Sequence, residues 1–417
     1  MGKSALILVI GTILLFLRTG KDLSDTSVQA YDNAMDYYEG AIARNIAISG
    51  ANIAANFIFL NPPKMNGNPW WDGYTSPISF DGGTFTASVD STSSVDPLTG
   101  ERRLTMRCTS TYRDSTSTVR VILRPSSFSK FALYAGTSAA AVYWATGDST
   151  LGGPVHVQGT LTTHGTPYFG GKVTTWKGVD STSWSGHPIF NAGEEDGVSV
   201  PINKDFSTLI GKAATGGKTF SGNNDVYLKF AGDSIKYHQG AAAAPDTTML
   251  ASAFAPNGAI VLKNSTGVIH IQGVVKGQYT VGAVDTTSPS RGKIDIENNI
   301  TYDSDPRTNP ASTDMLGIVA NSDITIMDHH TTNGNNVTVM ASLFSDTSTV
   351  KIENLTTRPL GILTTLGGWT VQDLAATTDS GISHGLSVRI IYDERLRTRS
   401  PPFYPTTKTY EILAWYE

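Results

Sequence analysis

The first sixty residues carry the feature that most limits how this chain can fold. Residues 5–17 contain no charged side chain, and Lys3 and Arg18 flank them. This run is shorter than the ~20 residues that cross a bilayer as a lone helix, and it matches the apolar region of a secretion signal. The small residues of "SVQA" at 27–30 offer a cleavage site, but that site follows the run by thirteen residues and four charges. We therefore expect the apolar segment to be retained.

An amphipathic helix pattern follows the apolar run. Apolar or aromatic side chains recur every three or four residues from Val28 to Leu60, with a single gap at Gly50. This periodicity predicts a helix that Pro62 and Pro63 end. Apolar run and stripe together make a helix about 90 Å long, too long for the interior of one compact domain. Its first half must be covered by lipid or by copies of itself, and its second half by a folded domain. The side chains predicted to pack on that domain are Tyr31, Met35, Tyr38, Ile42, Ile46, Ile53 and Phe57.

The composition of the rest indicates turn-dense β structure. Only 16% of residues are charged, against about a quarter in typical domains, and the chain has 41 glycines. The net charge of -5 argues against nucleic acid as a partner. Cys108 is the one cysteine, so an intrachain disulfide is excluded; its place in an alternating strand pattern predicts a buried, inert thiol.

Residues 63–135 predict a small antiparallel β layer. Alternating patterns lie on either side of a Gly-Gly corner at 82–83 and of "RDSTS" at 113–117. This layer is the nearest partner for the helix stripe. The face predicted to cover it consists of Phe85, Leu104, Met106, Cys108, Val119, Val121 and Leu123, or of their neighbours one residue along.

Residues 136–385 predict a parallel β-helix-like domain. Short strands centred on Ile, Val and Leu alternate with Gly, Asn, Asp or Thr corners, and three of them follow at 13- to 15-residue spacing between 321 and 355. An irregular β-sandwich is the alternative architecture. We expect an insertion around 190–250 with a short helix at 204–216, and strands at 386–417 that cap the last coil. The predicted fold class is α+β, mainly β, with domains at 1–62, 63–135, 136–385 and 386–417.

The sequence contains few candidates for chemistry. The segment "MDHH" at 327–330 is the best metal candidate, through Asp328, His329 and His330, but adjacent histidines on a strand point to opposite faces. Asp303, Asp305, Asp323 and Glu353 form no dense acidic constellation of the kind polysaccharide enzymes need. A hydrogen-bonded structural role is expected for His156 and His164. We therefore predict no cofactor, no metal and no enzymatic activity.

Two sets of residues resemble known families. The apolar helix that continues as an amphipathic one and closes with "ARNIAISGANIAANFIF" resembles type IV pilin-like proteins, PilX-like minor pilins in particular. In that family a prepilin peptidase cuts after a glycine, so either Gly2 is the processing site or Met1 is already the mature start. Ala5 or Ile7, depending on the cut, replaces the glutamate that most pilins carry at mature position five. The segments "GDSTLGGPVHVQGTLTTHG", "DMLGIVANSDITI" and "YDERLRTRSPPFYP" are similar to an uncharacterised bacterial PilX-like family, in which a pilin-type helix carries a large β-helical domain.

The resemblance implies a structural subunit of an extracellular type IV pilus-like filament. Such a subunit is held in the cytoplasmic membrane before assembly, meets the pilus assembly machinery, and then packs against identical copies at the cell surface. Two alternatives stay open: a membrane-anchored β-helical adhesin or sugar-binding protein, with a surface glycan as partner, and a secreted polysaccharide-active enzyme. The residues of the expected assembly helix are Ala5, Leu6, Ile7, Leu8, Val9, Ile10, Ile13, Leu14, Leu15, Phe16 and Leu17.

Overall fold

The computed structural model describes residues 2–61, 71–90, 100, 103–137, 144–182, 185–200, 202 and 205–417. They divide into two compact units. The first is drawn from residues 1–94, 102–124 and 409–417, and the second from 95–101 and 125–408.

Helices are few in the described residues and strands are many. The helices are α1 (Gly2–Leu60), α2 (Ser207–Ala214), α3 (Ala251–Phe254) and α4 (His330–Asn333), with 3-10 turns at Phe128–Lys130 and Glu394–Arg397. The strands are β1 (Gly73–Phe80), β2 (Gly83–Asp90), β3 (Leu104–Tyr112), β4 (Ser115–Ser127), β5 (Leu133–Thr137), β6 (Trp144–Ala145), β7 (Ser149–Leu151), β8 (Val155–Val157), β9 (Leu161–His164), β10 (Tyr168–Phe169), β11 (Val173–Thr175), β12 (Val179–Asp180), β13 (Ile189–Phe190), β14 (Glu194–Glu195), β15 (Lys218–Phe220), β16 (Val226–Gly232), β17 (Ser234–Gln239), β18 (Thr247–Leu250), β19 (Ala259–Lys263), β20 (Val268–Val275), β21 (Gln278–Val284), β22 (Lys293–Tyr302), β23 (Met315–Ala320), β24 (Ile324–Ile326), β25 (Val337–Ser345), β26 (Val350–Ile352), β27 (Gly361–Asp373), β28 (Leu386–Ile391) and β29 (Thr406–Tyr416). This confirms the predicted class: a long N-terminal helix, a small antiparallel sheet and a large, mostly parallel sheet.

The first unit consists of α1 and a sheet in the order β1-β2-β3-β4-β29. The strands β1 to β4 pair antiparallel, with Cys108 opposite both Ala87 and Val119. The helix ends where the backbone N–H of Asn61 donates to the carbonyl oxygen of Phe57 at 3.0 Å and its side-chain amide donates to the same oxygen at 2.9 Å. Pro62 and Pro63, the predicted terminators, lie outside the described residues.

The core of the first unit is the predicted face of the sheet. Phe85, Leu104, Met106, Cys108, Val119, Val121 and Leu123 are all buried, together with Ala87 and Val89, so the first-stated phase of the alternation is the right one. Each large apolar side chain buried here contributes roughly 1.5–3 kcal/mol relative to exposure.

The second unit is a ladder of parallel strands. Ile324 of β24 pairs with Val350 of β26, and Val337 of β25 pairs with Leu363 of β27, each 26 residues further along the chain. We call the 26 residues between two such paired strands one coil. The 13- to 15-residue spacing in the sequence is half of a coil, because β25 lies between β24 and β26 in the chain but pairs with β27 in a separate row of strands.

The order of the coils differs from the order of the chain. Along one face the strands run β14, β11, β8, β5, β27, β25, β23, β21, β19, β15. Strand β27 near the end of the chain thus pairs with β5 at the start of the unit, and β28 pairs with β7. The strands at the start of the unit thus pair with the strands near its end. The backbone N–H and C=O groups along these strand edges are hydrogen-bonded and do not remain as open sheet edges.

This arrangement differs from the predicted division at two places. Residues 386–417 do not form a cap: 386–391 lie inside the ladder, and β29 is an edge strand of the small sheet. The predicted insertion at 190–250 contains ladder strands, since β15 and β16 pair with β19 and β20; only β17 and β18 pair antiparallel beside them. The predicted short helix is α2.

Candidate functional site

The N-terminal half of α1 is exposed in the described structure, and we call residues 2–34 the bare segment. Residues 2–34 are all exposed, and the predicted assembly residues from Ala5 to Leu17 lie inside this stretch. Leu8 is 70% exposed and Phe16 is 75% exposed. By length and composition α1 is apolar enough to cross a membrane, and its most apolar window is not buried in the chain at all.

Hydroxyl groups within this stretch are hydrogen-bonded to the helix itself. The hydroxyl of Thr12 donates to the carbonyl oxygen of Leu8 at 3.0 Å, and that of Thr19 donates to Leu15 at 2.7 Å. A hydroxyl bonded back to its own helix is shielded from an apolar environment. The bare segment can therefore enter lipid or a helix bundle without leaving these two groups unpaired.

The C-terminal half of α1 packs on the small sheet through small side chains. Its buried residues are Ala43, Ile46, Ala47, Gly50, Ala51, Ala54 and Ile58. Ser110 of β3 reaches this face and donates a hydrogen bond to the carbonyl oxygen of Ala43. Alanine and glycine on the contact face let the helix backbone approach the sheet closely.

The predicted packing stripe is only partly the observed one. Ile46 is buried, and Ile42 packs at the edge of the core. The rings of Phe57 and Trp71 are in contact, with their centroids 4.3 Å apart. Tyr31, Tyr38 and Ile53 are instead exposed at 65%, 57% and 40%, and Met35 is half-buried. The predicted stripe was traced through the largest apolar side chains of the helix. The face that packs on the sheet is made mainly of its small residues, alanine and glycine.

Ion pairs add to the contact between helix and sheet. Arg113 Nη1 lies 2.8 Å from Glu39 Oε1 of α1. A further pair lies within the sheet, where Arg124 Nε of β4 is 2.7 Å from Glu411 Oε1 of β29. Arg44 of α1 pairs with Glu417 at the other end of the chain. Because these pairs are partly exposed, they contribute little stability and act mainly to orient the elements.

The residues of the metal candidate do not converge on a common point. His330 Nδ1 contacts Asp328 Oδ1 at 2.7 Å, while His329 Nε2 turns to Glu297 Oε2 at 2.9 Å. Asp328 also lies 3.7 Å from Nε of the buried Arg358. Among the described residues, no group of three or more His, Cys, Asp or Glu side chains is arranged to hold a metal ion.

An imidazole–carboxylate array that sequence reasoning missed crosses the outer face of the ladder. The ring of Tyr227 in β16 stacks between the rings of two histidines. Its centroid lies 4.5 Å from that of His238 and 4.3 Å from that of His270. His270 Nδ1 contacts Glu297 Oε1 at 2.6 Å. Asp295 and Asp225 lie at 3.9 and 3.8 Å from the same ring. Tyr227, His270 and Asp295 are direct neighbours in the strand register, a relation that no local motif displays.

The array shifts the pKa values of its members in different directions. Burial lowers the pKa of His270, but the hydrogen bond that the ring donates to Glu297 and the charges of three nearby carboxylates outweigh burial and raise the pKa overall. The hydrogen bond from His270 is the main cause of the lowered pKa of Glu297. Burial is the main cause of the raised pKa of Asp295. The array thus binds protons more tightly on its imidazole than free histidine does.

The other sequence candidates have structural partners. His156 is buried and hydrogen-bonded, as expected, with Nδ1 at 2.9 Å from Thr174 Oγ1 and Nε2 at 3.0 Å from Gln158 Oε1. Asp305 pairs with Arg307, and Asp323 pairs with Lys351.

Comparison with known proteins leaves the family open. No protein-family model and no curated protein matches the chain. Among solved structures, the competence-associated pilin ComZ from Thermus thermophilus is similar over 82% of this chain and 86% of its own, with 11% sequence identity and a TM-score of 0.39. That score is too low for the likeness to bear on the fold or function of the chain.

Proposed function

We propose that this chain is a structural subunit that polymerises through α1 into an extracellular filament of the type IV pilus kind. One observation carries the proposal: the same continuous helix is buried against its own sheet between Ala43 and Ile58 and bare between residues 2 and 34. A helix built only to complete its own domain would end where the sheet ends.

The free energy of the bare segment supports a second environment. Eleven large apolar residues from Leu6 to Leu23 are each about half exposed or more. Burying residues 5–17 gains roughly 15–20 kcal/mol relative to water, counting ~1.5 kcal/mol for each large side chain. This exceeds the whole stability of a typical domain, so the segment does not remain in water.

Lipid and sister helices are the two environments that the segment fits. In the proposed cycle the segment first lies in the cytoplasmic membrane and then exchanges lipid for identical helices during assembly. Gly11 and Gly20 are open on all sides, since a Cβ atom at either position would meet nothing within 4 Å. Small residues of this kind let neighbouring helices approach closely in an apolar setting.

The proposal makes the β-rich second unit the part displayed to the outside, and it assigns no catalytic role to the chain. The resemblance of the N-terminal helix to pilin-like proteins supports the same assignment. Assembly machinery and a cell-surface location follow from the proposal as its expected partners and place.

Removal of detergent from the purified full-length chain tests the proposal. We expect filaments of uniform width in negative-stain images once the detergent is dialysed away. Ile10→Asp places a charge inside the apolar run of residues 5–17 and is expected to abolish them. Leu23→Asp places the same charge on another exposed apolar residue, outside that run, and is expected to leave them intact.

Two outcomes contradict the proposal. The wild-type chain dispersing as a monomer without detergent would mean that its apolar segment needs no partner. Stable monomers in lipid vesicles that never form filaments would favour the membrane-anchored adhesin instead.

A further inference from the structure

The second unit contains a cleft that none of the preceding functions uses. It lies between α2 and the loop after β21, and its volume is about 640 Å³. Phe206, Ile210 and Pro289 supply apolar surface, while Asp285, Asn321 and Thr347 supply polar groups. An apolar surface combined with a few polar groups is typical of a small-molecule site.

Asp285 is one of the buried polar residues at this cleft. Its side chain is fully buried. Oδ1 accepts hydrogen bonds from the backbone N–H groups of Thr287 at 2.7 Å and Ser288 at 3.0 Å, and from the Thr287 hydroxyl at 2.5 Å. Oδ2 has no hydrogen-bond donor, and the Nη1 atom of Arg291 is 3.8 Å away. A buried acceptor of this kind costs free energy until a donor reaches it.

The carboxylate is held in its charged form. Burial raises the pKa of Asp285, but the bonds from Thr287 and Ser288 and the charge of Arg291 outweigh burial and lower it overall. The group is therefore an acceptor at neutral pH, and a donor is what it lacks.

The wall that carries Asp285 is held in place by the neighbouring coils. The side-chain amide of Asn321 donates to the carbonyl oxygens of Ser288 and Pro289 at 3.3 Å. The Thr347 hydroxyl donates to Pro289 and to Asn321 at 2.8 Å. These bonds preform the loop, so a ligand need not order it.

The chemistry of the lining selects among ligands. The cleft is lined by three carboxylates, those of Asp205, Asp285 and Asp346. They face the cation of Lys263 in the lining and that of Arg291 beside Asp285, and this excess of negative charge disfavours an anionic ligand. The acidic side chains of the described residues are not arranged to hold a metal ion. A sugar ring without negative charge fits this lining in two ways. Its hydroxyl groups are hydrogen-bond donors for Asp285, and its face of C–H groups can pack on the apolar side chains of the cleft.

We propose that this cleft binds a sugar unit of an uncharged glycan. The Asp285 side chain turns its Oδ2 atom, which is covered in the free chain, toward a sugar hydroxyl, and the ring lies against Phe206 and Ile210. The site is independent of the role of α1, and either proposal can fail alone.

Titration calorimetry with the full-length chain, in a detergent without a sugar head group, tests this proposal. The probes are maltotriose, cellotriose, mannotriose and N-acetylchitotriose, with trigalacturonate as the anionic comparison. We expect saturable binding of at least one uncharged trisaccharide and much weaker binding of trigalacturonate. Binding of none of the four, or equally tight binding of trigalacturonate, overturns the proposal.

Two variants locate the site. Asp285→Asn removes the charged acceptor and is expected to weaken binding at least about tenfold. Gly211→Leu fills the cleft from α2, where a Cβ atom meets nothing within 4 Å, and is expected to abolish binding without disturbing the fold. If Asp285→Asn fails to fold, Gly211→Leu still decides the question.

Matched controls lie outside the cleft. Ala214→Leu adds the same side chain to an exposed position on the same helix. Asp305→Asn alters another aspartate that accepts a backbone N–H two residues on, here from Arg307 at 2.9 Å. Both are expected to bind like the wild type. Equal loss of binding in a cleft variant and its control contradicts the assignment.

Discussion

Gly50 of α1 lies so close to Phe85 of β2 that a Cβ atom on Gly50 would be 2.6 Å from Cδ2 of the ring and 2.8 Å from Cys108 Sγ. Phe85 and Cys108 are both buried in the core of the first unit. The gap in the helix stripe is therefore a point of close contact between helix and sheet.

Substitution at this point tests the observed helix face. Gly50→Ala is expected to destabilise the first unit by about 1–3 kcal/mol, because overpacking outweighs the higher helix propensity of alanine. Gly40→Ala, on the same helix with nothing within 4 Å, is the matched control and is expected to gain about 0.5–1 kcal/mol. Thermal unfolding of both variants measures the difference. Equal stabilisation by the two changes would contradict the packing described here.

Cys108 offers a chemical probe of the same contact. Burial raises the pKa of its thiol to about 11, so hardly any thiolate exists at neutral pH. We expect the native chain to resist iodoacetamide and the chain unfolded in urea to react fully. Alkylation is read out by intact-mass spectrometry. Gly50→Ala should raise the native reaction rate, since it pushes against the sulfur; rapid labelling of the native wild type would mean that the helix does not cover this site.

The stability of the second unit is expected to depend on pH through His270. Its pKa is raised in the folded state, where Glu297, Asp295 and Asp225 face the ring, Tyr227 stacks on it, and His329 shares Glu297. A raised histidine pKa means that the stabilisation is complete below the unfolded value of about 6.5 and is lost as pH rises through the folded value.

Urea unfolding of the wild type and of His270→Gln measures this effect. The stability difference between them should be largest near pH 6 and should shrink toward about pH 9 as the imidazole loses its proton. A difference that is constant over this range, or one that grows with pH, contradicts the charge assignment.

Asp328 is expected to act through Arg358 and not through a metal. The Arg358 guanidinium is buried and donates to the carbonyl oxygen of Met327 at 3.0 Å, and burial lowers its pKa despite the nearby charge of Asp328. Asp328→Asn leaves this cation without its nearest anion and should cost about 2–4 kcal/mol. Arg358→Met removes the cation together with its desolvation penalty and should cost less.

Metal chelation separates the two roles of Asp328. The wild type and the two variants are each unfolded with EDTA and with added Zn²⁺. Within each protein, the midpoint with EDTA should equal the midpoint with Zn²⁺. A midpoint in the wild type that falls with EDTA would restore the metal site that "MDHH" suggested.

Sequence patterns predicted what depends on neighbouring residues. The alternation in β2, β3 and β4 identified the buried face from Phe85 to Leu123, because side chains on a strand alternate strictly. The helix length followed from the pattern that runs up to Leu60 with a single gap at Gly50. The choice of helix face was harder, since the sheet selects Ala47 and Gly50 for close approach whereas a hydrophobic stripe favours Tyr38 and Ile53.

Relations between distant segments left no local signal. The pairing of β27 with β5 joins Trp369 to Leu133, and nothing near either residue specifies the other. The same holds for β29 at the edge of the small sheet and for the row formed by Tyr227, His270 and Asp295. The cleft draws its walls from residues around 206, 285 and 347, and only the stacked coils bring them together.

The fate of residues 4–18 in native material tests the central claim most directly. Filaments sheared from the surface of cells that make this chain are collected, imaged, digested with trypsin and analysed by mass spectrometry. The account predicts that the peptide from Ser4 to Arg18 is recovered from the filament fraction in the same amount as peptides of the β-rich unit. Recovery of the chain as a soluble monomer that lacks this peptide would contradict the account.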